Sequence, residues 1–433
     1  MPVLPEKFLH FVWLHRLYRR HGLACTDGRA VEVINPGTPN TDAGPDFFNA
    51  QIRIGGTLWA GNVEIHATTA DWDRHAHHTD AASNNVILHV VGQSTGRPVS
   101  DSAGRSVPEM VLEFAPDIFE RYRSRISRPE VIKCAADLGE VPDFELRSWL
   151  ERMLVERFEE RTAMVEDMWR EFGGDWEQTI FALMARAMGF VVNAGPMEML
   201  ARCTPVRILM KHNSPCQTEA LLLGQAGMLS GAAGDEADDY LRLLRREYDL
   251  LQLKFGLRPM EPHLWKTLRL RPPNFPAVRL AQLAALVRAA CGSLDAAVST
   301  LDLERLDGYF SVAASDYWDT HLAPGTTAQS APRAKRLGVS SRRLLIINVV
   351  IPYLYAKARR QGRLRDQENI MKMLQLMPVE KNSRIDAWRQ CGIDPRDEGE
   401  AQALLQLTKR YCVPRRCIHC RVMAVILSAG RAC

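Results

Sequence analysis

The stretch FFNAQIRIGGTLWAGNVEIHA, residues 47–67, decides the fold of the N-terminal part of the chain. Two runs rich in β-branched and aromatic residues flank Gly55-Gly56. Glycine accepts a positive φ without a steric cost, so this pair favours a tight turn between antiparallel strands. The stretch therefore predicts a β-hairpin.

Further elements are predicted on both sides of this hairpin. Apolar residues at helical spacing predict an amphipathic helix over residues 6–20, ending before Gly22, and AVEVI (30–34) predicts a strand. After the hairpin, the polar stretch 71–85 is expected to form a short helix or loop, and NVILHVV (85–91) a buried strand. The resulting order α-β-β-β-α-β describes a small N-terminal α/β module.

The pattern changes beyond a polar loop at residues 92–108. Apolar residues at helical spacing predict long helices, such as 144–172 and 238–255, in a large, mostly α-helical domain. The boundary is expected between about residues 115 and 145. The stretch 323–343, rich in Thr, Ala, Pro and Ser, is interpreted as a mobile surface linker. The predicted fold class is α+β. Its predicted segments are the α/β module at 1–120, a helical domain at 121–322 and a basic linker with a helical C-terminal region at 323–433.

Composition narrows the class of protein. The 55 basic and 51 acidic residues give a net charge of +4, which is too balanced to indicate nucleic-acid binding by itself. No apolar run approaches the roughly 18–20 residues that cross a bilayer. The longest, Leu344–Tyr355, is broken by Pro352. Because the ten cysteines occur with no secretory signal, we expect a reducing, cytoplasmic compartment and no association with a membrane.

The densest chemical signal is Asp46 in GPDF, followed by Glu64 and His66 in VEIH. Side chains alternate along a strand, so Glu64 and His66 should face one side. Val63 and Ile65 should face the other side and anchor it in a core. If GPDF begins the neighbouring strand, Asp46 converges on the same edge. Two adjacent carboxylates need a cation, and hard oxygen ligands suit Mg²⁺ or Mn²⁺. We therefore expect these three side chains to share one cation at an exposed edge of the sheet.

These motifs resemble those of the PD-(D/E)xK phosphodiesterase superfamily. Pro45-Asp46 corresponds to its first element and Glu64-Ile65-His66 to its second, and the predicted α-β-β-β-α-β order is similar to its restriction-endonuclease-like core. The resemblance implies a nuclease in which a metal held by the two carboxylates activates a water. His66 stands where that superfamily has lysine, and would act as base, proton relay or metal ligand.

Histidines downstream offer a different metal site. His75 and His77, together with His66, could form a zinc or iron site, because neutral imidazole is a natural ligand of both metals. Alternatively, they lie with His78 on the surface of a polar helix. His89, inside an apolar strand, is interpreted as a hydrogen-bonded core histidine. Further candidate acids or ligands are Glu6, Glu32, Asp71 and Asp80.

A second cluster, C-x4-C-x2-C, lies near the end of the chain. Cys412, Cys417 and Cys420 are close enough in sequence to bind Zn²⁺ or an iron–sulfur cluster. Some nucleases of the PD-(D/E)xK superfamily carry an iron–sulfur cluster whose cysteines flank the nuclease core, so the resemblance makes this combination suggestive. The pattern leaves the fourth ligand open. The candidates are His419, Cys433, Cys391 and Cys134.

Basic residues crowd the linker and the helix that follows it. Such a patch could track the phosphates of DNA or RNA, or be a solvated face. Its members are Arg333, Lys335, Arg336, Arg342, Arg343, Lys357, Arg359, Arg360, Arg363 and Arg365.

Over its whole length the chain also resembles an uncharacterised bacterial family of similar size. The resemblance implies a cytoplasmic bacterial protein and brings no established activity. It is carried by GPDFFNA, GNVEIH, the DW…H-x-H run from Asp71 to His77, ILHVV, EALLLGQAGML, RPPNFPAVRLAQLA and the C-x4-C-x2-C pattern.

Three functions are compatible with these observations. The leading hypothesis is a metal-dependent nuclease, or a catalytically altered relative, acting on DNA or RNA. The second is a non-catalytic nucleic-acid-binding or assembly protein that retains the fold. The third is a metallohydrolase centred on His66, His75 and His77.

Overall fold

The computed structural model describes residues 4–40, 43–229, 238–327 and 331–429. The predicted linker falls partly on residues 328–330, and the candidate ligand Cys433 on the last four, all of which lie outside the described residues.

Strands are concentrated in the first quarter of the chain. They are β1 (Val31–Asn35), β2 (Thr38–Pro39), β3 (Phe47–Ile54), β4 (Thr57–Thr68), β5 (Val86–Gln93), β6 (Val99–Ser100), β7 (Ser106–Val107), β8 (Glu109–Val111), β9 (His321–Ala323) and β10 (Thr326–Thr327).

Helices dominate the remainder. They are α1 (Glu6–Leu14), α2 (Asp71–Arg74), α3 (Asp117–Ile126), α4 (Asp143–Glu171), α5 (Trp176–Met188), α6 (Ala194–Cys203), α7 (Val206–Leu209), α8 (Pro215–Gln225), α9 (Asp239–Phe255), α10 (Pro276–Ala289), α11 (Leu294–Val298), α12 (Leu303–Phe310), α13 (Val339–Leu345), α14 (Ile351–Arg360), α15 (Leu364–Gln375), α16 (Ser383–Gln390), α17 (Glu398–Leu407) and α18 (Arg421–Ser428). Turns of 3₁₀ helix include Ala81–Asn85, Ala135–Glu140 and Cys417–His419, and π-helical turns occur at Ile346–Val350 and Thr408–Cys412.

The α+β prediction is confirmed, since a mixed sheet precedes a mostly helical region. The main sheet has the order β1-β3-β4-β5-β8, and β2 pairs with β3 beside this path. β1, β3 and β4 are antiparallel, whereas β4, β5 and β8 are parallel. Apart from the added short strands, α1 and the strands up to β5 follow the predicted order α-β-β-β-α-β.

The predicted hairpin is present between β3 and β4. Ile54 pairs with Thr57 across a two-residue turn in which Gly55 has φ 56° and Gly56 has φ 88°. Two successive positive φ values match the twist of the flanking strands, and this is why the glycine pair marks the turn in the sequence.

The first helix is shorter than predicted. The apolar spacing predicted a helix over residues 6–20, but α1 ends at Leu14 and Arg16 adopts φ 52°. The chain then runs extended, so that Tyr18 stacks on Trp13 with ring centroids 5.4 Å apart and pairs with the backbone of Phe114. Burial of the Tyr18 ring therefore outweighs the continuation of helical hydrogen bonding.

The chain separates into two compact units. Unit 1 contains residues 1–153, 382–394 and 403–433, and unit 2 contains residues 154–381 and 395–402. The predicted C-terminal segment thus contributes residues to both units.

Each unit has its own core. In unit 1, α1 packs on β4, where Leu9 and Val12 are buried beside Val63 and Ile65. In unit 2, helices α5, α8 and α10 are buried on almost every side. None of the described helices combines the length and apolarity needed to cross a membrane.

The close approach of β4 to β5 at Gly61 yields a test of the sheet. A Cβ at this position would lie 2.4 Å from Ile87 Cγ2 and 2.8 Å from the backbone oxygen of Asn85. We expect Gly61→Ala to destabilise unit 1 by about 1–3 kcal/mol, because the two strands must separate. Hydrogen exchange in peptides from β4 and β5 would measure the loss.

The matched control is Gly139→Ala, in the same unit, where an added Cβ meets no atom within 4 Å. Equal exchange in the two variants would contradict the pairing of β4 with β5.

Candidate functional site

A row of polar residues crosses three neighbouring strands of the sheet. Glu64 on β4 lies opposite His89 on β5, and His89 lies opposite Glu109 on β8. Opposite residues on paired strands project to the same face of a sheet, and His66, two positions after Glu64, shares that face. The register therefore gathers two acids and two imidazoles.

This polar face is buried, and the expectation of an exposed edge is wrong. Glu64 is 5% exposed and His66 is 1% exposed. The segment 71–78 covers them, with the Trp72 ring fully buried against His77 and His89. A buried carboxylate and a buried imidazole are costly without partners, so the groups around them determine what this site can do.

Three imidazoles and one carboxylate converge here: His66 and Glu64 are buried, whereas His75 is exposed and His77 is half-buried. His66 Nε2 lies 3.1 Å from His75 Nδ1 and 3.6 Å from Glu64 Oε1. His77 Nε2 lies 3.0 Å from Glu64 Oε1. One nitrogen from each of the three histidines lies within 4.8 Å of the others. This is a donor set of the size and chemistry that binds a divalent transition metal.

The far side of His66 is bordered by a chain of polar contacts. His66 Nδ1 lies 3.0 Å from His89 Nε2, and His89 Nδ1 lies 3.3 Å from Glu109 Oε2, a close contact outside ordinary hydrogen-bond geometry. If the Nδ1–H of His89 is directed at Glu109, then the Nε2 of His89 carries a lone pair and accepts a hydrogen bond from the Nδ1–H of His66. His66 Nε2 consequently carries a lone pair directed at the other donors, as a metal-binding histidine requires.

The pKa values of these groups fit that assignment. Burial, followed by the charges of His89 and His77, lowers the pKa of His66 to about 2, so its imidazole is neutral. Burial would raise the pKa of Glu109, but hydrogen bonds from His89 and Ser94 lower it below its ordinary value. Glu109 is therefore a stable anion at the end of the row formed by His66, His89 and Glu109.

A second donor set lies on the other side of Glu64. Glu6 and His10 occupy adjacent turns of α1, and His10 Nε2 is 3.8 Å from Glu6 Oε1 and 3.3 Å from Asp46 Oδ2. Donor atoms of Glu6, His10 and Asp46 lie within 4.8 Å of one another. Burial alone would lower the pKa of His10. The contact with the Asp46 carboxylate has a larger, opposite effect, so the pKa of His10 lies above its ordinary value. Burial raises the pKa of Glu6.

Glu64 connects the two sets. Its Oε2 accepts from the backbone N–H of Asp46 at 3.2 Å, while Oε1 faces the histidines. Asp46 Oδ2 in turn accepts from the N–H of Ile65 at 2.8 Å. Among the described residues, Asp46 and His66 belong to different three-donor sets, and Glu64 lies between them.

An open cleft borders the second donor set. It encloses about 780 Å³ and is lined by Glu6, His10 and Asp46 together with Lys7, Arg415, Arg416 and His419. Metal-binding groups and cations therefore face the same solvent-accessible space, all within unit 1.

Sequence reasoning missed His10, Arg415 and Arg416. The i, i+4 spacing of Glu6 and His10 in EKFLH places them on one helical face and was the available signal. The arginines lie inside the cysteine pattern, and nothing local relates them to the acids.

Several other candidates have ordinary structural partners. His78 lies 3.4 Å from Asp73 at the surface, and Glu32 pairs with exposed Arg53. Asp71 accepts from the backbone of Thr68, and Asp80 caps the 3₁₀ turn Ala81–Asn85.

The C-terminal cysteines also lie together. Cys412, Cys417 and Cys420 are joined by Cys134, and all four are free thiols. His419 lines the cleft instead.

Four of the ten residues of the predicted basic patch in unit 2 pair with acids, and a fifth stacks on an indole ring. Arg342 pairs with Asp307, Lys357 with Asp295 and Arg363 with Asp366, while Arg359 lies 3.8 Å from Glu166 and Arg360 stacks on Trp169.

Comparison with known proteins gives one match. A family model described as "Protein of unknown function (DUF2851)" matches residues 6–383. The matched region includes every acid and histidine of the two donor sets and ends before the C-x4-C-x2-C pattern. Neither the curated proteins nor the solved structures contain a match to the chain.

The chain of polar contacts predicts distinct titration of these histidines in metal-free protein. The resonances of His66 should not shift between about pH 5 and pH 8, because burial and its neighbours keep it neutral. His10 and His77 should titrate above their ordinary pKa, since each lies against a carboxylate. Histidine-selective NMR would follow each ring, and a His66 midpoint near the ordinary value would refute the burial of this cluster.

Proposed function

The chain belongs to the DUF2851 family of proteins of unknown function, and for this member we propose a metal-dependent phosphodiesterase activity on nucleic acid. One observation carries the proposal: carboxylate and imidazole donors line the same cleft as arginine and lysine side chains. Metal-dependent cleavage of a phosphodiester uses both, since a metal activates the water and cations hold the phosphate.

The metal would be held by Glu6, His10 and Asp46. Two carboxylates and one imidazole are a ligand set for Mn²⁺, and Mg²⁺ accepts the same oxygen atoms. Because this set borders open solvent, positions remain for a water and a phosphate oxygen. A bound metal lowers the pKa of that water and stabilises the charge that develops on phosphorus-bound oxygen.

Glu64 is a buried acid that would support the same metal-dependent cleavage. It is buried, it accepts from the backbone at Asp46, and its other oxygen contacts His77. It thereby orients the Asp46 segment and lies within reach of a metal bound by His66 and His77. We expect catalysis to depend on it more than on any exposed acid.

The class of substrate is inferred from the basic side chains that line the cleft. Lys7, Arg415 and Arg416 line the cleft. A second depression of about 760 Å³ is lined by Arg16, Arg19, Arg20 and Arg421, of which Arg19 pairs with Glu113 and Arg421 with Glu145. Consecutive basic surfaces suit a polymer with several phosphates better than a small phosphate ester.

The arrangement of the sheet supports this class of enzyme. Asp46 precedes β3, and Glu64 and His66 follow on β4 within the order α-β-β-β-α-β, as in the PD-(D/E)xK resemblance. His66 is held neutral by burial and resists protonation, so it would offer its lone pair to a metal, whereas the lysine of that superfamily is a fixed cation.

A second candidate function is a metallohydrolase that uses the set formed by His66, His75 and His77. His77 Nε2 is buried and lacks hydrogen-bond geometry to any described group, although Glu64 is 3.0 Å away. A nitrogen in this state, beside His66 and His75, is oriented for a zinc ion. Tight binding of one zinc without nuclease activity would favour this function.

The phosphodiesterase proposal predicts that Mn²⁺ or Mg²⁺ supports cleavage of DNA or RNA and that Glu64→Gln abolishes it. We expect at least a hundredfold loss of kcat, because the amide cannot carry the charge that holds the metal-binding groups in place. A cleavage assay with metal titration would measure it.

Glu32→Gln is the matched control, because Glu32 is an exposed acid of the same sheet whose partner is Arg53. Nucleic-acid binding that persists in every variant without cleavage under any divalent metal would instead indicate a non-catalytic binding protein.

The cleft cations predict a separate effect on affinity. In the Glu64→Gln background, Arg415→Ala and Arg416→Ala should each weaken binding and lower the salt dependence of log K by about one. Fluorescence anisotropy at several salt concentrations would measure both quantities.

Arg384→Ala serves as the control, because Arg384 is exposed on α16 in the same unit and does not line the cleft. If all three variants bind equally, nucleic acid does not occupy the cleft.

A further inference from the structure

Four cysteines of unit 1 converge from two distant parts of the sequence. Cys134 precedes the 3₁₀ turn Ala135–Glu140. Cys412 ends a π-helical turn, Cys417 begins the 3₁₀ turn Cys417–His419, and Cys420 is the residue before α18. Helix α18 packs against the turn that follows Cys134, and this contact brings the two parts of the chain together.

The thiols are buried and affect one another. Cys134, Cys417 and Cys420 are each less than 9% exposed. Burial, followed by the influence of Cys420 and Cys417, raises the pKa of Cys134. Burial, followed by Cys420, Cys134 and Cys417, likewise raises the pKa of Cys412. Such a group can carry negative charge only with a strong cation among the sulfur atoms.

Donors suited to bound thiolates surround the group. The backbone N–H groups of Val422 and Met423, at the start of α18, are directed at Cys420. The indole Nε1 of Trp149 is buried, has no hydrogen bond of ordinary geometry among the described residues, and faces the same sulfur. A buried N–H without an ordinary acceptor is uncommon, and a cluster sulfur would satisfy it.

Positive charge lies next to the sulfur atoms. Lys133 is 4% exposed and lowers the pKa of Cys417, although burial raises that pKa overall. A metal centre with four thiolates is an anion, and a buried ammonium beside it offsets that charge.

The spacing of the sulfur atoms discriminates between metals. Among the described residues, three donors within 4.8 Å of one another occur only in the two histidine–carboxylate sets. No three of the four sulfur atoms therefore lie within 4.8 Å of one another, whereas four Zn–S bonds of about 2.3 Å in a tetrahedron bring every pair of sulfur atoms to roughly 3.8 Å. Wider spacing suits a centre larger than one ion.

We propose that Cys134, Cys412, Cys417 and Cys420 bind an iron–sulfur cluster that fastens the 412–420 segment at the edge of the cleft. Each thiol loses its proton as its sulfur binds an iron of a preassembled cluster, with no change in oxidation state. Arg415, Arg416 and His419 lie between these ligands, so the cluster would set their position in the cleft. This inference concerns a separate site and does not depend on phosphodiesterase activity.

Cys134 is preferred to Cys391 as the fourth ligand. Cys134 interacts with all three cysteines of the pattern, whereas Cys391 influences Cys412 and its own pKa is raised by burial without a cysteine neighbour among the causes.

The test uses full-length protein purified without oxygen. Iron, acid-labile sulfide and zinc are measured per chain, together with visible absorbance. We expect brown protein with iron and sulfide in equal amounts. Wild-type protein that is colourless, whether it holds one zinc or no metal, would overturn the proposal without any variant.

Variants then assign the ligands. C134S should lose most of its iron and show faster hydrogen exchange over residues 411–420, while peptides of unit 2 exchange as in the wild type. C391S is the matched control and should retain iron, sulfide and slow exchange. Full iron in C134S, or its loss in C391S alone, would overturn the assignment of Cys134.

Discussion

The structure of unit 1 depends on β4 being buried on both faces. One face carries Val63 and Ile65 and packs as an ordinary core, while the other carries Glu64 and His66 and cannot be buried without partners. The histidine-rich segment that follows β4 supplies those partners by folding back over the strand. The same requirement explains why an acid on β8 lies opposite a histidine on β5. The polar groups of this site are therefore part of the packing of the sheet.

Features that depend on neighbouring residues were predictable, and features that depend on distant ones were not. The glycine pair and the alternation along β3 and β4 correctly gave the hairpin, because turn chemistry and strand periodicity are local. Alternation also placed Glu64 and His66 on one face, but it could not show that residues 71–78 cover that face. The end of α1 was mispredicted because Tyr18 reaches Phe114, nearly a hundred positions away. For the same reason the sequence could not show that Cys134 lies with the C-terminal cysteines.

The two donor sets differ in their surroundings. The set at Asp46 lines the cleft, and its three side chains are half-buried. In the set at His66, the ring of His66 is buried against Trp72, whereas His75 is exposed and His77 is half-buried. Glu64 contacts one residue of each set, the backbone N–H of Asp46 and Nε2 of His77. Under the proposed function, a phosphate of a large substrate would reach the set that lines the cleft.

Unit 1 is assembled from both ends of the chain, with unit 2 encoded between them. A ribosome releases the N-terminal strands long before it has made α18 and the arginines that complete the cleft. During that interval the nascent polypeptide holds its acids and histidines without Arg415 and Arg416. The cleft of unit 1 can therefore be completed only after all of unit 2 has been synthesised.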